Sequence, residues 1–163
     1  MARFAFKAGD EWALKLSRLA AGSDGIAKKA IYQAAAIVTD KIRNNLAGLP
    51  EEKFRALRGP DEEFKGVPRG SKLDLMRSLG ITPIEPDSAG NMNAKIGFDD
   101  YGSFPTASYP NGVPNQLLAR AIESGSSVRA ATPFVRPAVQ ATKKLAQAEM
   151  ARVVDEEIQK IMK

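Results

Sequence analysis

With no histidine and no cysteine among its 163 residues, this chain leaves carboxylates, lysines and a bound hard cation as its routes to catalysis. Disulfides, zinc sites of the usual nitrogen and sulfur kind, thiolate nucleophiles and serine–histidine pairs are all excluded. Carboxylates gather at Glu51 and Glu52, at Asp61, Glu62 and Glu63, and at Asp99 and Asp100. Each group offers oxygen to a hard cation, yet adjacent acids in loops are ordinarily solvated surface, and none of these spacings matches a calcium loop. A metal-dependent hydrolase working through Asp99 and Asp100 is the one enzymatic alternative this inventory sustains. The glycines form neither a GxxxxGK[ST] nor a GxGxxG phosphate cradle. Lys143 and Lys144 fall on the polar face of a helical stretch, with nothing to bury them as nucleophiles. The expectation is a non-enzymatic protein with no metal and no cofactor.

The densest information lies instead in residues 117–138, LLARAIESGSSVRAATPFVRPA. Leu117, Leu118, Ala121 and Ile122 recur at helical spacing, and Gly125 suits a left-handed backbone that ends this helix near Ser124. After the turn at Ser126 and Ser127, Pro133 and Pro137 fix φ on either side of Phe134, Val135 and Arg136. A large apolar anchor and a permanent cation thus sit at the root of the final helix. On this reading Gly125 makes the turn, Phe134 and the prolines fix the helix, and Glu123 and Arg136 supply polar contacts, to each other or across subunits.

Glu123, Gly125 and Ser126, followed by Pro133, Phe134, Arg136, Pro137 and Ala138, resemble the Glu-Gly-Thr and Pro-Phe-x-x-Pro-Ala signature of small tail-completion proteins of long-tailed bacteriophages. That family, which acts at head–tail joining, includes minor tail and neck components. The likeness extends more loosely to an N-terminal helical half, a step at Ser78 and Leu79 into a hairpin, and a long C-terminal helix. It departs from the family pattern at residues 103–114, where a shorter link is expected. The resemblance implies a structural virion protein of the head-proximal tail end, made in the bacterial cytoplasm and assembled to make tails competent for head joining. Its implied partners are copies of itself in a homo-oligomeric ring, the tail tube or terminator and the head-closure ring. Non-specific contact with genomic DNA is compatible with that position, and no membrane is involved. Ring number, and the choice among completion protein, terminator and connector, stay open.

Composition fits this picture without demanding it. At 44% hydrophobic and 26% charged residues, the chain suits one domain over residues 1–163 with a sizeable core. The longest apolar run, 34–38, falls far short of the ~20 residues that span a bilayer. Arg3 and Lys7 interrupt any secretory apolar region, so the expected product is soluble where it is made. The net charge of +5 resides in residues 1–80, with fifteen Lys and Arg against ten Asp and Glu, and the remainder is balanced. Such an excess suits phosphate backbone, an acidic protein ring or simple solubility. It sustains the alternative of a small basic DNA-binding protein that contacts the phosphate backbone non-specifically.

The expected fold is α+β, with N-terminal helices and a long C-terminal helix around a small antiparallel hairpin. After an extended start at residues 3–6, Asp10 caps a helix to about Ala21 bearing Trp12, Leu16 and Leu19, and GSDG at 22–25 breaks it. Asp24 caps a second helix over 26–46, with Ile26, Ala30, Ala34, Ile37, Val38 and Ile42 on one side, ended by Gly48 and Pro50. Residues 51–71 hold little to build a core from and read as a mobile loop, with a helical turn at 51–57. Ordered on assembly, this loop would offer Lys53, Arg55, Arg58, Lys65 and Arg69 to DNA or a neighbouring subunit. Residues 73–79 form a short apolar, helical step, strands at 80–84 and 94–98 make the hairpin, and 99–114 is a second loop whose Tyr101, Phe104 and Tyr109 suit either interface or loop packing. The last helix begins at 134–137 and carries an apolar stripe from Ala138 and Val139 through Leu145 and Met150 to Ile158 and Ile161.

Overall fold

Alanine-rich helical faces set the long axis of the molecule. A computed structural model describes residues 9–55, 62 and 64–163, with side chains from residue 11 onward. Its first helix, α1 (Gly9–Ala47), runs 39 residues, about 58 Å at 1.5 Å per residue. The last, α4 (Val135–Met162), runs 28 residues. They lie antiparallel: Asn45 Nδ2 donates to the Phe134 carbonyl at one end (3.0 Å), and Gly22 meets Ile161 at the other. Between them Ala30 and Ala34 of α1 and Ala138, Thr142 and Val153 of α4 are buried, small side chains that let the helix backbones approach. Lys29 pairs with Glu157 across the seam at 2.6 Å. Lys160 and Lys29 together hold the Glu157 carboxyl down to about 2.

The break expected at residues 22–25 does not occur; α1 passes through Gly22, Ser23, Asp24 and Gly25 as one helix. Asp24 is therefore interior rather than a cap, and Asp10 also falls within the helix. Each interior glycine costs about 1 kcal/mol against alanine, a local preference that packing can override. The Cβ of a residue at 22 would lie 3.8 Å from Ile161 Cδ1, so Gly22 sits where the end of α4 comes in, and Ser23 Oγ donates to the Ala20 carbonyl at 2.9 Å. Beyond the end of α4, α1 continues with Trp12 and Leu16 more than half exposed.

Around the Ala47 end of α1 gather α2 (Arg69–Ser78), a hairpin and α3 (Asn115–Ser124). The hairpin has two short ladders, β1 (Leu79–Ile81) with β4 (Ile96–Phe98), and β2 (Glu85–Pro86) with β3 (Met92–Asn93), both antiparallel. Pro83, which has no N–H, lies in the gap between them, where Thr82 Oγ1 instead accepts the Lys95 N–H at 2.9 Å. At the turn, Asp87 Oδ1 accepts the N–H groups of Ala89 and Asn91, and Gly90 adopts φ 83°. The core joins Ile42 and Leu46 of α1 to Val67, Leu75, Leu79, Ala119, Ile122, Phe134 and Ala138.

The 51–71 segment differs from its sequence reading. Phe64 (1% exposed) and Val67 (0%) are core residues, so the segment supplies two buried anchors. Residues 51–55 carry no helical turn: Glu51 is bridged to Val67 and 52–55 have no regular structure, while α2 already begins at Arg69. The anchors follow no period because they stand three residues apart in irregular backbone. Cleavage by trypsin should be fastest after Lys53 and Arg55. It should be slow after Lys65, whose carbonyl accepts hydrogen bonds from Arg129 (3.3 Å) and Thr132 (3.2 Å). Mass spectrometry of early fragments checks this, and rapid cutting after Lys65 would contradict the anchoring.

Candidate assembly site

Helix α3 ends where expected. Gly125 follows Ser124 at φ 78°, ψ 173°, a region essentially reserved for glycine. This is an extended rather than a helical left-handed backbone, and a Cβ there would lie 2.9 Å from the Ala131 nitrogen. Next, the N–H of Ser126 donates to the Arg129 carbonyl at 3.0 Å, and the Thr132 N–H donates to the Ile122 carbonyl at 2.7 Å. The chain is thereby turned back beside the helix it has just left, which brings residues 133–136 to Glu123.

One carboxylate then closes the arrangement. Glu123 Oε2 accepts the N–H groups of Phe134 (2.7 Å) and Val135 (2.8 Å), and Oε1 accepts that of Arg136 (2.9 Å). These are the unsatisfied donors at the start of α4, where the helix dipole also favours negative charge. Burial by itself would raise the Glu123 carboxyl; the three N–H groups and the Arg136 guanidinium outweigh it and hold the group below its usual range. Glu123 is thus a cap donated by the preceding helix. Pro137 falls in the first turn of α4, where its missing N–H is no loss. Phe134 is 0% exposed and meets Phe98 edge-on, with ring centroids 6.0 Å apart, and Ala138 is equally buried.

Glu123, Gly125, Ser126, Pro133, Phe134, Arg136, Pro137 and Ala138 therefore lie in one lock that joins α3 to α4. Arg136 Nε lies 3.7 Å from Glu123 Oε1 within the same chain. Its side chain is nonetheless 71% exposed, so the guanidinium lies on the solvent face of the lock, with Nη2 donating to Ser124 Oγ at 3.5 Å.

Arg129 completes the site and was missed in the sequence, where it sits in an aperiodic turn. It is 6% exposed, with its guanidinium 5.4 Å from the Phe64 ring centroid and bonded to the Lys65 carbonyl. Burial lowers its pKa from the ordinary value. The Ala130 N–H donates to the Phe64 carbonyl at 3.2 Å, so the 51–71 segment is pinned to the lock. Of the cations of that segment, Lys53, Lys65 and Arg69 are exposed, Arg55 pairs with Glu52 (3.2 Å) and Glu62 (3.0 Å), and Arg58 lies outside the described residues.

Among the described residues no three acidic side chains gather as a metal cluster, and no helix is long and apolar enough to cross a membrane. Tyr101 and Phe104 are mostly exposed, although Phe104 lies against Gly70, where a Cβ would come within 2.4 Å of its ring. The chain matches no protein-family model, no curated protein and no solved structure.

Proposed function

We propose that this protein is a non-enzymatic structural component of a tailed-phage virion that assembles as a ring at the head-proximal end of the tail and makes tails competent for head joining. The supporting observation is that the residues carrying the family resemblance converge on a single lock, Glu123 on the first turn of α4 above buried Phe134, with Arg136 on its solvent face. Residues that looked like a motif in sequence share one mechanical role, setting the angle at which the longest C-terminal element leaves the core. The surface suits neighbours: Trp12 and Leu16 on α1 and Val139 and Leu145 on α4 stand exposed, and the hairpin has short open edges. Such features fit a subunit whose interfaces are completed by copies of itself and by the tail and head-closure rings.

Electron microscopy of lysates from a parent phage lacking this gene tests the reading. Filled heads beside complete, unattached tails are the expected result. Normal joined particles would overturn it. The basic excess in residues 1–80 would then direct attention to duplex binding that falls steeply with salt.

A further inference from the structure

Between α2, the 99–114 loop and the first turn of α3, one buried polar atom lacks a partner. Asn115 is 1% exposed, and its Oδ1 accepts no hydrogen bond. The amide is not simply reversed, because Nδ2 donates to the Asp99 carbonyl at 3.0 Å, and exchanging the two atoms would set oxygen against oxygen. An acceptor buried in this way calls for a donor or a cation.

Gly102 shows which other oxygens approach that atom. A Cβ built on it would lie 3.4 Å from Asn115 Oδ1, 3.4 Å from the Val113 carbonyl and 3.5 Å from Asp74 Oδ2. Oxygens from α2, from Val113 and from the start of α3 thus converge on the bare face of Gly102, which a side chain would crowd. Asp74, Arg77, Ser78, Asp100, Tyr101 and Asn115 border an open cavity of about 150 Å³, and a ligand of Asn115 Oδ1 would sit there. Asp74 accepts the N–H (2.7 Å) and hydroxyl (2.8 Å) of Ser103, and each of its oxygens keeps a further lone pair. Among the described residues neither Asp74 nor Asp100 has a cationic side chain within 4 Å. Arg77 offsets one of the two charges, and the lining stays net negative.

We propose that this cavity binds a divalent cation of the calcium class, with Asp74 and Asp100 supplying charge and Asn115 Oδ1 supplying a neutral ligand. All the ligands are oxygens, which selects a hard ion, and irregular placement on three segments suits calcium better than magnesium with its strict octahedron. Two carboxylates place the affinity at the weak end, on the order of 10⁻⁴–10⁻³ M. Binding draws the oxygens inward and ties the loop carrying Tyr101 and Phe104 to α2. The inference does not depend on the virion reading.

Calcium titration followed by thermal unfolding, together with tyrosine-sensitised terbium luminescence, tests the site. Millimolar calcium should raise the melting temperature and displace terbium, and Tyr101→Phe should dim the terbium signal because Tyr101 borders the cavity. Asp100→Asn removes one charge at a residue with φ 58°, a backbone that asparagine adopts readily. Gly102→Ala puts a methyl group between the three oxygens. Each should weaken the calcium response about tenfold or more, a loss typical of altered ligand charge or cavity shape. No response of the wild-type protein up to about 10 mM, well above the expected range, would leave a water as the occupant and overturn the proposal. So would an undiminished response in Asp100→Asn, the variant that decides the matter should Gly102→Ala fail to fold.

Discussion

Phe134→Ala should lower the unfolding free energy by about 3–5 kcal/mol, the usual range for emptying a fully buried aromatic site. The ring is 0% exposed, touches Phe98 edge-on and belongs to the cluster that joins α1, α2, α3 and α4. Little can collapse into the gap, because Phe134 is held on both sides by main-chain bonds: its N–H donates to Glu123 and its carbonyl accepts from Asn45. Those bonds survive the substitution, so the loss isolates packing. Typical domains are stable by only about 5–15 kcal/mol, so a loss of this size removes a large fraction of the total. Phe134→Leu keeps most of the volume and should cost less than half as much. Urea denaturation of both variants checks the ordering, and a Phe134→Ala loss under about 1 kcal/mol, the level of surface substitutions, would mean the ring is not the anchor described.

The lock was legible in sequence because its parts are close in the chain and chemically distinctive. A glycine that must take positive φ, prolines that set φ, and one large apolar residue between them each leave a signal at their own positions. The α+β class and the start of α4 at Val135 follow from the same local cues. What stayed hidden depends on distant partners. The GSDG at 22–25 has every local mark of a break, yet the opposite helix holds α1 through it, with Ile161 beside Gly22. Phe64 and Val67 stand in a charged, glycine-rich segment, and distant partners turn it inward: Pro50 and Glu52 hold Val67, and the turn at 126–132 holds Phe64. Arg129 and Asn115 show the same limit: each is a polar residue whose burial is decided by chain 16 or more residues away, through the Lys65 carbonyl and the Asp99 carbonyl. The apolar stripe of α4 was also only half informative, since Ala138, Thr142 and Val153 face α1 while Val139 and Leu145 stay exposed. Periodicity locates a helix and leaves open how wide a face its neighbour covers.

Glu123→Ala should cost about 2–4 kcal/mol, more than an ordinary surface cap, because three N–H groups lose their acceptor together and two of those bonds are part-buried. Glu123→Gln retains an oxygen for one or two of them but loses the charge at the helix N-terminus, and should cost about 1–2 kcal/mol. A pH signature separates the cap from mere packing. Because the folded carboxyl titrates below its ordinary value of 4.5, the unfolded chain takes up the proton first as the solution is acidified. The stabilisation is therefore complete above about pH 5 and is lost progressively as pH falls through 4.5 toward the folded value. In the wild-type protein the unfolding free energy should drop over that window, and Glu123→Gln should remove this part of the slope while leaving the contributions of Glu149 and Glu157, both also lowered by ion pairs. Identical slopes for wild type and Glu123→Gln between pH 3 and 5 would show that the carboxylate is not the charge that caps α4. A flatter slope in the variant would mean that the direction of the longest C-terminal element, and with it every contact α4 offers to a neighbour, depends on one ionised side chain in the preceding helix.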